Sequence, residues 1–198
     1  MSQNIRDYFS LPGKANLSNL AAAISIVKYF GVDDDQIKKA LPSFKALPHR
    51  LELIADIGGI RWYNDSKATT PLSAIMALEA FDQPIILIAG GYDKHLPFDE
   101  FGQKIAKKAK AAILIGQTAP QIADAIRNAI NKRATSDKQR ATKLEFANTL
   151  AEAVQSANRL AEPGDVVLLS PACASYDMFE NFEQRGQEFI SLVQALDD

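Results

Sequence analysis

From about residue 85 onward, short strand-like runs alternate with stretches of helical periodicity, and that alternation leaves few folds open. Residues 85–89, 113–115, 143–146 and 165–169 read as strands. Residues 98–110, 119–130 and 148–160 carry helical patterns between them. After the last strand, Met178, Phe182, Phe189, Leu192 and Leu196 share one stripe, which predicts a helix from Asp177 to the C-terminus. Asp177 with Glu180 can cap its start. Strands alternating with helices imply a mainly parallel sheet covered on both faces, an α/β, Rossmann-like, doubly wound fold.

The preceding residues add to this plan. Residues 51–55 and 60–63 flank Asp56-Ile57-Gly58-Gly59, a hairpin signal that contributes one antiparallel strand. Pro71 opens a helix over 71–81 at a position where its missing N–H costs nothing. Nearer the N-terminus, Leu17, Leu20, Ala21, Ile24 and Val27 form one helical face that stops at Gly31. A second short helix covers 33–41, with acidic residues at its start and Pro42 just past its end. Residues 42–50 hold two prolines and no periodicity, and read as a linker. The chain therefore divides near Leu47 into residues 1–46, two helices, and residues 47–198, the sheet domain. The first ten residues show no usable pattern. The polar stretch 131–140 reads as a solvated, mobile connection.

Bulk properties exclude several classes. A net charge of −2 gives no electrostatic case for nucleic acid or an anionic membrane. Cys173 is the only cysteine, and the two histidines are far apart, so neither an intrachain disulfide nor a zinc-ligand spacing is available. No apolar run is long enough to span a bilayer, and the first residues show no signal-peptide pattern, so a cytoplasmic monomer is the expectation.

Chemistry-bearing residues gather in loops. Arg50 ends the linker just before a strand, where its fork would suit a phosphate or simply solvent. Asn64-Asp65-Ser66-Lys67-Ala68-Thr69-Thr70 leads into the helix at Pro71, and on residue type alone Thr69 or Thr70 reads as its N-cap. Gly90-Gly91-Tyr92-Asp93-Lys94 follows a strand, and its paired glycines allow either a turn or a close ligand approach. The fourth loop, Ser170 to Phe182, joins the last strand to the last helix, a place where backbone N–H groups meet anions. There Phe182 reads as core with its backbone N–H near the helix start, Ser175 as a cap or carboxylate donor, and Cys173 as a small buried residue. Asn16 and Asn19 read as ordinary capping residues.

The wording SPACASYDMFENFEQRG over residues 170–186 closely resembles the C-terminal motif of the Mur ligase family, in its branch that adds D-glutamate to UDP-N-acetylmuramoyl-L-alanine. NDSKAT over 64–69 and GGYDK over 90–94 resemble the same family, and the likeness runs from about Gly13 to the C-terminus. Asn16, Asn19 and Ala21-Ala22-Ala23 match the motif that ends the family's central ATPase domain, with Ala15 where the family has a histidine. The resemblance implies an ATP-dependent amide-forming ligase of peptidoglycan precursor synthesis working through an acyl phosphate, with ATP and Mg2+ as cofactors. It assigns Asn16 and Asn19 to adenine, Asp65 to the ribose, and Arg50 and Lys67 to phosphate charge. Thr69, Lys94, Ser175 with Tyr176, and the Phe182 backbone go to D-glutamate. Residues 1–46 would then belong to the central domain and 47–198 to the D-glutamate-binding domain. The chain has no G-x-x-x-x-G-K-[ST] and no metal-ligand set of its own, so the resemblance makes it one part of a ligase that needs an N-terminal and a central domain for turnover. The competing expectations are a non-catalytic α/β binding module and a relative acting in folate polyglutamylation; the wording of 170–186 argues against the second.

Overall fold

The computed structural model describes residues 5–133 and 142–196. Its centre is a sheet of six strands: β1 (Glu52–Ile57), β2 (Ile60–Asn64), β3 (Ile85–Gly90), β4 (Ala109–Ile115), β5 (Lys143–Phe146) and β6 (Val166–Leu169). Their spatial order is β1-β2-β6-β3-β4-β5. The hairpin at Gly58-Gly59 makes β1 antiparallel to β2, and every other neighbouring pair is parallel. The last strand in sequence therefore sits in the middle, pairing Val166 with both Arg61 and Ile85. Every residue of β3 and β6 is buried, as befits strands covered on both faces.

One face is covered by α3 (Pro71–Leu78), α4 (Asp99–Lys108) and α5 (Ala119–Arg133), whose Leu78, Phe101, Ile105, Ile122 and Ile126 form a core with Leu87 and Leu168. The other face carries α6 (Leu150–Leu160) and α7 (Phe182–Gln194), which bury Leu150, Val154, Phe189 and Val193 against Trp62, Ile88 and Val167. The chain walks outward from β3 to β5 under the first layer, then crosses under the second layer to reach β6. That reversal makes a crevice at the carboxyl ends of β2, β6 and β3, where open α/β sheets bind ligands.

Ahead of the sheet lie α1 (Lys14–Tyr29) and α2 (Asp34–Ala40). Gly31 stops α1 as expected: at φ +86 it lets its own N–H reach Lys28 O and Val32 N–H reach Val27 O. Asp33 caps α2 in a reciprocal box with Gln36, and Pro42 falls in a 3-10 turn, Leu41–Ser43. The apolar face of α1 is only half-buried: no residue of that helix is fully covered, and Ala21 is exposed. Among the described residues no helix is long and apolar enough to cross a membrane.

Several boundaries differ from expectation. The strand predicted at 113–115 begins at Ala109, because the helix before it ends at Lys108, whose ammonium is held by Phe81 O at 2.9 Å. The helix from Pro71 stops at Leu78 rather than near residue 81. Residues 131–133, expected in a loop, continue α5, while 134–140 lie outside the described residues. The last helix starts at Phe182, not Asp177: Asn181 is the cap, accepting the Gln184 N–H at 2.7 Å. Asp177 instead accepts the Gln117 N–H at 3.0 Å, tying the β6–α7 loop to the end of β4.

Candidate functional site

The first group of residues lines a cleft of about 330 Å³, where the start of α1, the turn before β1, the loop after β2 and the helix α3 meet. Gly13 makes the approach of α1 possible: it sits at φ +92, and a Cβ there would come within 2.8 Å of Ala80 Cβ. Asn16, Asn19, Arg50, Asp65 and Lys67 all face this cleft. Asn16 donates its amide to Pro12 O at 2.7 Å, so that group holds the turn ahead of α1. Asp65 is 7% exposed. Its carboxylate accepts from Ser170 Oγ at 2.8 Å and from the Leu51 N–H at 3.2 Å. Burial raises its pKa to about 6 despite these two donors and the nearby Arg50 charge. Arg50 and Lys67 are exposed, and the Lys67 ammonium stands 5.2 Å over the Phe182 ring. A second, apolar cavity of about 370 Å³ adjoins the cleft and shares Asn16, Asn19 and Arg50 with it; Phe9, Leu20, Leu41 and Phe44 are among its other walls.

The second group lies along the carboxyl edge of the sheet. Strands β2, β6 and β3 are parallel neighbours, so the loops after Asn64, Leu169 and Gly90 leave on the same side and bring Thr69, Ser175, Tyr176 and Lys94 to one edge. Backbone bonds stitch two of the loops together: Gly90 N–H to Pro171 O at 2.8 Å and Tyr92 N–H to Ala174 O at 2.9 Å. Exposed Tyr92 and Tyr176 add an edge-to-face contact at 6.0 Å. The glycine pair is required by the approach itself, since a Cβ on Gly90 would meet Ile115 O at 2.0 Å and one on Gly91 would meet Ala174 O at 2.3 Å. Thr118, buried and unremarked in the sequence, brackets Gly91: its Oγ1 accepts the Gly91 N–H and donates to Gly91 O, both at 3.1 Å. The same hydroxyl lies 3.1 Å from Cys173 Sγ, a small buried thiol whose pKa burial pushes up to about 11.

The cap of α3 is Thr70, whose Oγ1 accepts the Ser73 N–H, which leaves the Thr69 hydroxyl outside the cap. Ser175 is 2% exposed and Lys94 is exposed. Phe182 is not a core residue. As the first residue of α7 it is half-buried, with its ring edge-on to His49 at 6.2 Å and beneath Lys67. The expectation from the stripe fails because the helix starts only at this residue, and its first buried side chain is that of Arg185, one turn on.

Arg185 is the functional candidate that the sequence reading missed. It is 1% exposed. Its five N–H groups go to Ser66 Oγ, Ser66 O, Cys173 O twice and Ala174 O, at 2.8–3.2 Å. Burial brings its pKa down to about 10, so it stays cationic at neutral pH. A signal was present: residues 185 and 189 share the inward stripe of this helix, and an arginine on such a stripe needs internal acceptors. Asn64 is a second missed link. Its Oδ1 accepts the Ser66 N–H, and its Nδ2 donates to Gly186 O at 3.1 Å and to His49 Nδ1 at 2.9 Å. That orientation puts the His49 ring proton on Nε2. Among the described residues no group of three or more His, Cys, Asp or Glu side chains is placed to hold a metal ion.

The chain is thus an α/β domain with a mainly parallel sheet, a cleft of about 330 Å³ beside α1 and α3, and a glycine-lined carboxyl edge. Residues 49–173 match the family model described as Mur ligase, glutamate ligase domain, and the chain belongs to the Mur ligase family. It is 47% identical over 191 residues to the UDP-N-acetylmuramoylalanine--D-glutamate ligase of Caldicellulosiruptor bescii, covering 96% of this chain and 40% of that protein. The ligase of the same name from Caldanaerobacter subterraneus is 46% identical over 186 residues, again with 40% of its length covered. The chain thus spans about two-fifths of the curated relatives it matches. In structure it is similar to Mycobacterium tuberculosis folylpolyglutamate synthase complexed with ADP and AMPPCP, with TM-score 0.61 at 15% identity over 91% of this chain and 41% of that one. It is also similar to a UDP-N-acetylmuramoyl-L-alanyl-D-glutamate--2,6-diaminopimelate ligase, with TM-score 0.55 at 18% identity over 95% of this chain and 40% of that one. At these identities the likeness is one of fold.

Proposed function

We propose that this chain is the amino-acid-accepting part of an ATP-dependent ligase that joins D-glutamate to UDP-N-acetylmuramoyl-L-alanine. The observation that carries the reading is the sorting of nine candidate residues, scattered from Asn16 to Tyr176, into a cleft and a sheet edge that share the loop after β2. The sequence likeness to D-glutamate ligases over 96% of the chain supports the choice of amino acid.

In this reading residues 1–46 are helices of the central ATPase domain and 47–198 form the D-glutamate-binding domain. The donor set fits a nucleotide: an apolar cavity flanked by Asn16 and Asn19 for the base, a carboxylate at Asp65 for sugar hydroxyls, and cationic Arg50 and Lys67 for phosphate. ATP, when bound, supplies the phosphoryl group that activates a carboxylate for attack by an amine. Mg2+ belongs with ligands outside the described residues. Within the chain, Lys94, Thr69, Ser175 and the Phe182 N–H hold the carboxylates of D-glutamate, with Tyr176 alongside, and so fix where its amine points. Arg50 and Lys67 offset the charge that moves with phosphate.

The test is phosphate release with UDP-N-acetylmuramoyl-L-alanine, D-glutamate, ATP and magnesium. A full-length ligase containing these residues turns over, and Lys94→Ala raises its KM for D-glutamate by about tenfold or more. The isolated chain shows no turnover, because it lacks a P-loop to hold the β- and γ-phosphates in line. Turnover by the chain alone, or an unchanged KM in Lys94→Ala, would overturn the reading.

A further inference from the structure

Among the described residues the guanidinium of Arg185 is the only charged group on a large, fully buried side chain, and nothing in the proposed chemistry uses it. Every one of its hydrogen bonds leaves its own helix. Three N–H groups go to Cys173 O and Ala174 O in the loop after β6, just ahead of Ser175. The other two go to Ser66, between Asp65 and Lys67 in the loop after β2. The third loop passes close by, since a Cβ on Gly91 would lie 3.3 Å from Nη1. Ser66 closes the set from the other side, donating its hydroxyl to Phe182 O at 2.8 Å.

Among the described residues no carboxylate accepts a hydrogen bond from this cation, and the Asp177 carboxylate acts on it only through its charge. A buried charge without an ion-pair partner in direct contact is a poor way to stabilise a fold, and an apolar side chain of similar volume would ordinarily do better. What a guanidinium does supply is five donors in a fixed plane, which set the spacing of whatever accepts them. Here the acceptors are the two segments that carry the cleft residues and the edge residues. We propose that Arg185 is a positioning residue that holds the nucleotide cleft and the amino-acid edge at a fixed separation, so that disturbing it impairs binding at both together. The inference rests on the ligase reading given above.

The experiment uses the full-length ligase, whose wild-type turnover with D-glutamate and ATP tests that reading on its own. Ser66→Ala removes the acceptor of Nε and the bond to Phe182 O while leaving the cation in place. Arg185→Lys keeps the charge and loses the planar fork. Kinetics are measured well below the melting temperature of each variant. The expected result is a parallel rise of about tenfold in KM for D-glutamate and for ATP in each variant. The double variant should then be no worse than the poorer single, as residues of one unit behave. Wild-type KM values with a lowered melting temperature would reduce Arg185 to a structural role. A change in one constant only would show the two loops to be independent. Either result overturns the proposal, and because Ser66→Ala leaves Arg185 in place, a failure of Arg185→Lys to fold does not remove the test.

Discussion

The Asp65 carboxyl accepts from Ser170 Oγ and the Leu51 N–H, yet burial still raises its pKa from 3.8 to about 6. Because the folded value lies above the unfolded one, the group's contribution is fully present below pH 4 and is lost as pH rises through 6. Wild-type protein should therefore gain about 1 kcal/mol of unfolding free energy between pH 7.5 and pH 5 relative to Asp65→Asn. An asparagine can keep both bonds, with its oxygen facing Leu51 and its nitrogen facing Ser170. Urea titrations of the two proteins should diverge across that range; parallel curves would show that Asp65 titrates normally. Arg50→Ala should push the Asp65 midpoint higher still, since the Arg50 charge is among the groups that lower it. The same carboxylate that would meet a ribose hydroxyl thus also anchors the turn carrying Arg50, and a binding defect in an Asp65 variant is read beside its stability at the same pH.

At the element scale the last helix separates two candidate caps. Asn181→Ala should cost about 1 kcal/mol and speed amide exchange at Gln184, whereas Asp177→Ala should leave that amide unaffected. In a domain of this size the first change corresponds to a fall of about 2–4 °C in melting temperature. Equal exchange at Gln184 in both variants would remove Asn181 as the cap. The stripe of apolar residues located this helix but not its start, because Met178 and Phe179 also bury apolar surface while lying in a turn held by Ser175 O. Periodicity made the parallel strands and their covering helices legible, since β3 and β6 are apolar on both sides. It could not show that the middle place in the sheet goes to the last strand, nor that Thr118 and Arg185 brace the loops. Those are long-range contacts that no local pattern encodes. The motif likenesses named the residues of the cleft and the edge, but not the bonds that hold the two in place.

Across the whole molecule, burial is uneven. Helix α1 has no fully covered residue, and Ile26, Tyr29 and Phe30 lie exposed at its end. Amide exchange in residues 14–29 of the isolated chain should be among the fastest of its helices, with β3 and β6 the slowest. Comparable protection of α1 and α7 would contradict that ranking. The placement of β6 has its own consequence for how the protein is made. β2 and β3 do not pair with each other; each finds its partner in Val166–Leu169. On a ribosome the first five strands therefore emerge with a gap at the centre of the sheet, and two apolar edges wait for a segment still unsynthesised. Trp62, the only tryptophan, lies on one of those edges and is covered by Phe189 of α7. Its fluorescence is then a clock for synthesis: nascent chains halted before residue 166 should show a solvated indole, and the shift to a buried one should come only after the final strand and helix have left the exit tunnel.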